Sequence, residues 1–126
     1  MTKTTLVEWV LARINSDASE GEEHCVLIAV DDARRFNKFA DAWPGTIYEK
    51  SRCRLTWAPT SERPWGAVAT LFSGYRPEHC QGAQAHSLAI DESTEPRDWD
   101  DFFNTVLPAV RLGKDPQWKT WARVTP

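Results

Sequence analysis

Apolar positions recur at helical spacing between Thr5 and Ile14, where Leu6, Trp9, Val10 and Arg13 form one stripe, and this predicts an amphipathic helix. A polar, acidic stretch from Asn15 to Glu23 follows and reads as an exposed connection. His24 to Val30 is a short continuous apolar run with β-branched residues, the pattern of a strand buried on both faces. Asp31 or Asp32 can cap a helix that continues to about Trp43, and Pro44-Gly45 ends it. Two strand-like runs come next, Arg52 to Trp57 and Ala67 to Phe72. The proline-bearing segment Ala58 to Trp65 separates them, which predicts a hairpin with an enlarged loop. Ser73 to Gln84 is punctuated by Gly74, Pro77 and Gly82 and is expected to be loop. Ser87 to Ile90 is a further short apolar strand. A second helix is expected from Trp99 to Arg111, with Phe102, Phe103, Val106 and Val110 on one stripe. Pro108 should kink it or end it early, and Gly113 stops it. Trp118 to Val124 completes the pattern as a last strand. Buried strands alternating with helices predict a three-layer α/β domain, residues 1–126, with a largely parallel sheet and an inserted β-hairpin.

Composition narrows the classes of function. A chain of 126 residues is one domain's worth and can bury a real core. No apolar run approaches the ~20 residues that span a bilayer, and no signal peptide opens the chain, so a cytoplasmic location is expected. The net charge is -3, and the basic residues Arg34, Arg35, Lys38, Lys50, Arg52 and Arg54 are interleaved with acids. They read as a mixed solvated surface, so direct DNA binding is not expected and a protein partner is. Three cysteines without CxxC spacing read as reduced thiols. His24-Cys25 and His79-Cys80 invite a zinc assignment, but neighbouring side chains in a strand point to opposite faces, and no metal is expected. Of the seven tryptophans, Trp9 and Trp99 lie on helical patterns and read as core anchors. Trp118, Trp121 and Trp65 are the candidate partner-binding residues.

The sharpest chemical signal is Ser87-Leu88-Ala89-Ile90-Asp91-Glu92, an apolar strand ending in two acids. That is the Walker B pattern, in which the Asp meets Mg²⁺ on the phosphates and the Glu orients water. Many strands also end in acids simply because the chain returns to solvent. The glycine-rich phosphate loop that should precede these acids is represented only by Lys3-Thr4, with Met1 and Thr2 before them.

Taken in order, these pieces resemble the N-terminal ATPase domain of the phage terminase large subunit, a P-loop-NTPase-like fold. Lys3-Thr4 through Glu8-Trp9-Val10 resembles the end of that family's phosphate loop and the helix after it. Cys25 to Val30 resembles the next core strand. Tyr48-Glu49-Lys50-Ser51, Arg54-Leu55-Thr56-Trp57 and the run Gly66 to Ser73 resemble a stretch typical of these proteins. Gly82-Ala83-Gln84 resembles the segment before Walker B, Asp91-Glu92 falls on its acids, and Trp99 with Val110 to Gly113 resembles the following helix and its end. Thr125-Pro126 falls where the family has its coupling motif. The resemblance therefore makes Lys3, Asp91 and Glu92 remnants of a catalytic site.

The departures decide what is expected of them. The loop glycines are missing, Gln81 stands where the family has an arginine, Ala83 replaces a proline, and no nuclease domain follows. The reading is a degenerate, non-catalytic domain without a cofactor that acts by binding protein. The expected partner is a host defence complex such as a CRISPR-Cas effector, inhibited in anti-CRISPR fashion, or a terminase subunit of a packaging motor. A split terminase ATPase completed in trans by another chain is the alternative, and a decayed gene fragment is the third reading. Strands missing on both sides should leave sheet edges open, which predicts a homodimer or a partner along an edge, unless the fold has rearranged.

Overall fold

The computed structural model describes residues 5–16, 21–32, 36–80 and 82–124. Helix α1 (Leu6–Ser16) is followed by β1 (His24–Val30), α2 (Phe36–Ala42), β2 (Ile47–Glu49), β3 (Arg54–Trp57), β4 (Ala67–Ser73), β5 (Ser87–Ile90), α3 (Trp99–Val106) and β6 (Gln117–Thr120). The strands form one six-stranded sheet in the order β2-β3-β4-β1-β5-β6. Strand β1 lies parallel between β4 and β5, and β6 pairs parallel with β5. Strands β2 and β3 join by antiparallel pairing, β3 against β4. The expected largely parallel α/β sheet with an inserted hairpin is therefore present.

Alternation along β1 divides the core into two layers. Val26, Ile28 and Val30 face a cluster built with Leu6, Val10 and Ile14 of α1 and with Phe39 and Trp43 from α2 and its end. Leu27 and Ala29 face the other cluster, with Phe102 and Val106 of α3. Both faces being covered is what makes β1 a continuous apolar run. Trp43 stacks near Phe39 and Trp57, at 5.4 and 5.1 Å between ring centroids. Trp9 and Trp99, expected as core anchors, pack half-buried against the two clusters.

Local signals set the boundaries. Thr5 Oγ1 accepts from the Glu8 amide (3.2 Å) and Glu8 Oε2 accepts from the Thr5 amide (3.4 Å), a reciprocal cap at the start of α1. Asp98 caps α3 by accepting from the amides of Asp100 and Asp101. That helix stops at Val106, where Leu107–Ala109 tightens into a 3-10 turn around Pro108, so the early end is the outcome and the span to Arg111 is too long. The strand expected from Arg52 begins only at Arg54. Lys50–Arg52 is a 3-10 turn, and Cys53 closes it in the left-handed region at φ 50°. Short strand β2, exposed along its length, escapes the pattern. Within the expected loop Ser73 to Gln84, Pro77–Cys80 forms another 3-10 turn. The last strand ends at Thr120, and Trp121 leaves it. Gly66, at φ +70°, closes the hairpin loop where a Cβ would come within 2.7 Å of the Trp57 carbonyl oxygen, so only glycine fits. Among the described residues no helix is long and apolar enough to cross a membrane.

Candidate functional site

Strands β1 and β5 end side by side, so Asp31 and Asp91 emerge from the same edge of the sheet. In open α/β sheets, ligands bind in the crevice outside these carboxyl ends. A cavity of about 260 Å³ lies here between the start of α1 (Leu6, Val7), Phe39 of α2, Trp121 and the acids Asp91 and Glu92. Its wall is mostly apolar, and Lys38 of α2 supplies a cation.

Asp91 is only 4 % exposed, and its amide donates to Ala29 O at 2.9 Å, which continues the ladder past the end of β5. Its two carboxylate oxygens have separate partners. Oδ2 accepts from Ser93 Oγ at 2.6 Å and from the Ser93 amide at 3.2 Å. Oδ1 faces Lys38 Nζ at 3.4 Å. Ser93 Oγ in turn accepts from the Asp31 amide at 3.2 Å, which ties the ends of the two strands together. Thr94 Oγ1 donates to Ala29 O at 2.9 Å and fixes the chain as it leaves Asp91. Glu92 is exposed, lines the cavity, and has no hydrogen bond or ion pair among the described residues.

Among the described residues, the donor set at Asp91 does not suit a divalent ion. Mg²⁺ asks for near-octahedral oxygen ligands at about 2.0–2.1 Å. Here one carboxylate oxygen of Asp91 is spent on Ser93 and the other faces an ammonium, which is no ligand and repels a second cation. Among the described residues no group of three or more His, Cys, Asp or Glu side chains is placed to hold a metal ion.

The opposite ends of the same strands hold a second polar cluster. His24 and His86 are buried and stacked, with ring centroids 4.8 Å apart. The Cys25 amide donates to His86 Nδ1 at 3.0 Å, so the ring proton sits on Nε2, which donates to Glu22 Oε1 at 3.2 Å. Ser87 Oγ lies 3.1 Å from His24 Nε2 and accepts from Arg13 Nε at 3.2 Å. Arg13 Nη2 also donates to Asp115 O at 2.8 Å. Burial, and then Glu23 and Glu22, push the Cys25 thiol up to about 11 against the opposing pull of Arg54. Burial alone pushes Cys80 up to about 12. Neither thiol is a ready nucleophile at neutral pH.

Of the residues singled out from the sequence, Asp91 and Glu92 stand at the site, while Lys3 lies outside the described residues, as do Gln81 and Thr125-Pro126. Trp65 and Trp118 are 54 % and 44 % exposed. Trp118 leans on Phe103 at 5.1 Å, whereas Trp121 turns inward and meets Trp9 edge-on at 5.8 Å. Trp121 thus belongs to the cavity wall and not to a surface beside Trp118. Lys38 is the participant that sequence reading missed, because it was grouped with the surface charges. Ser93, two residues after an Asp, carried a legible signal of a local side-chain turn.

No family profile and no curated protein sequence matches the chain. Solved structures do match its fold. The large terminase of a thermophilic bacteriophage, in complex with ADP, superposes with a TM-score of 0.64 at 14% sequence identity over 91% of this chain. The ATPase domain of the large terminase of Thermus phage P74-26 gives 0.54 at 15% identity over the same 91%. This chain spans 29% of the first of these proteins and 52% of the second. The shared feature is the fold: this chain's mixed α/β architecture is similar to that of terminase ATPase domains.

Proposed function

We propose that the chain is a phage-derived, non-catalytic relative of the terminase ATPase domain that acts by binding another protein. The observation that carries this reading is the state of Asp91: the acid at the end of β5 is buried and engaged on both oxygens by groups of its own chain. An acid engaged by its own chain on both oxygens is not presented to a metal-bound phosphate, which supports the non-catalytic reading. The likeness to terminase ATPase domains supports a packaging motor as the machine acted upon, with the chain standing in for part of a subunit. A host defence complex of the CRISPR-Cas type is the other target to be tested. Exposed Trp65 and Trp118, together with exposed Ile47 and Tyr48 on strand β2 at the end of the sheet, offer surface for such a contact or for a homodimer.

The test has two arms. Purified chain should show no ATP hydrolysis above buffer with Mg²⁺ present. Tagged chain mixed with purified terminase large subunit, or with a purified CRISPR-Cas effector, should form a complex on size exclusion and reduce that partner's activity. Hydrolysis by the chain alone ends the reading, and so does failure to bind either partner.

A second reading, a split ATPase completed by a separate polypeptide carrying a phosphate loop, has its support in the likeness to a large terminase in complex with ADP. It predicts ATPase activity only on mixing the two chains, abolished by Asp91→Asn or Glu92→Gln.

A further inference from the structure

We infer that Lys38 is a built-in replacement for the divalent cation at Asp91. The inference rests on the non-catalytic reading of this site and adds the agent that enforces it. Asp91 has one oxygen not committed to Ser93, and the Lys38 ammonium stands before it at 3.4 Å. The acid's side chain is 6% exposed, so its charge needs a cation close by, while the Lys38 side chain is 50% exposed and reaches in from α2 over the Phe39 ring at 5.6 Å. Glu92, next along the chain, lines the same cavity and is exposed. An ammonium and a hydrated divalent ion answer the same electrostatic demand, and only one of them fits in front of Oδ1. With the lysine tethered to the fold, the native chain takes no ion there. Removing the lysine leaves a buried carboxylate beside an exposed one, open on the cavity side to an oxygen-seeking cation.

Melting temperatures of the wild-type chain and of Lys38→Met, Lys38→Gln, Asp91→Asn and Lys38→Met/Asp91→Asn, each with and without millimolar Mn²⁺, test this. Lys38→Met and Lys38→Gln should melt below wild type and rise by roughly 3–6 °C when Mn²⁺ is about tenfold above its Kd. The wild type and both variants carrying Asp91→Asn should not respond. Lys38→Gln keeps a polar side chain at the position, so the test stands even if Lys38→Met folds poorly. A Mn²⁺ shift in the wild type that Asp91→Asn removes, or no shift in either lysine variant, overturns the inference. ATP hydrolysis by the wild type, measured alongside, would count against the non-catalytic reading and leave the melting data to judge Lys38 separately.

Discussion

The two ends of β1 and β5 hold buried polar groups by different means. At the carboxyl ends a full negative charge, Asp91, is met by a half-exposed lysine and a serine beside an apolar cavity. At the amino ends, His24, His86 and Ser87 are joined through ring nitrogens, a hydroxyl and a backbone amide, with the charges of Arg13 and Glu22 kept at the margin. A buried network tied by several hydrogen bonds and a ring stack is rigid. At the carboxyl ends, by contrast, one of the two partners of the buried charge is a half-exposed side chain beside a cavity. The structural cost of substitution should therefore be greater at the amino ends.

The largest expected effect lies at the amino ends. His86→Ala removes a buried ring, strips the Cys25 amide of its acceptor and leaves His24 without its stacking partner. A loss of about 2–4 kcal/mol is expected in urea or thermal unfolding. Lys38→Met should cost less, about 1–2 kcal/mol, because water can reach the carboxylate from the cavity once the ammonium is gone. If the lysine variant proved the more damaging, the contrast would be reversed and Lys38 would be a structural strut.

How much of this was legible in the sequence differs between the same two ends. The strands themselves were plain: a continuous apolar run such as Cys25 to Val30 admits little but burial on both faces. Asp91-Glu92 was legible because two acids follow directly on the apolar run Leu88 to Ile90. Lys38 was not, since its partner is 53 residues away and only the packing of α2 on the sheet brings them together. The stacked histidines were hidden for the same reason. His24-Cys25 invited a metal reading, while the true neighbour of His24 is His86, brought alongside by the β1–β5 register. Strand β2 was missed because all three of its residues are exposed, so no burial wrote a pattern into it.

Alkaline pH extends the contrast to the thiols. Cys25, at the amino ends, is pushed up to about 11 by burial and by Glu23 and Glu22, and Cys80 to about 12 by burial. Below the ordinary value of 9.0, folded and unfolded chains both keep these protons, and the two thiols add no pH dependence to stability. Above it the unfolded chain gives them up first, so stability should fall as pH rises from about 9 toward 11–12. Urea midpoints across that range should decline less for Cys80→Ala, once the midpoints are compared with each variant's own value at neutral pH. Thiol labelling at pH 8 should be slow for both residues in the folded chain and fast in urea.

The smallest stability effect belongs to the surface tryptophans, and there the expected change is in binding. Trp65 is 54 % exposed, so Trp65→Ser should shift unfolding by no more than about 0.5 kcal/mol. Trp118→Ser should cost slightly more because the ring leans on Phe103. If these rings are the contact surface, either substitution should weaken the complex with the partner by roughly tenfold or more, since buried aromatic anchors carry much of an interface's energy. Titration by calorimetry against the purified partner measures it. An unchanged affinity in both variants would move the contact to strand β2 at the end of the sheet, where Tyr48→Asp becomes the next substitution to make. Because Tyr48 is 52 % exposed, that change should leave the core intact and act on the partner alone.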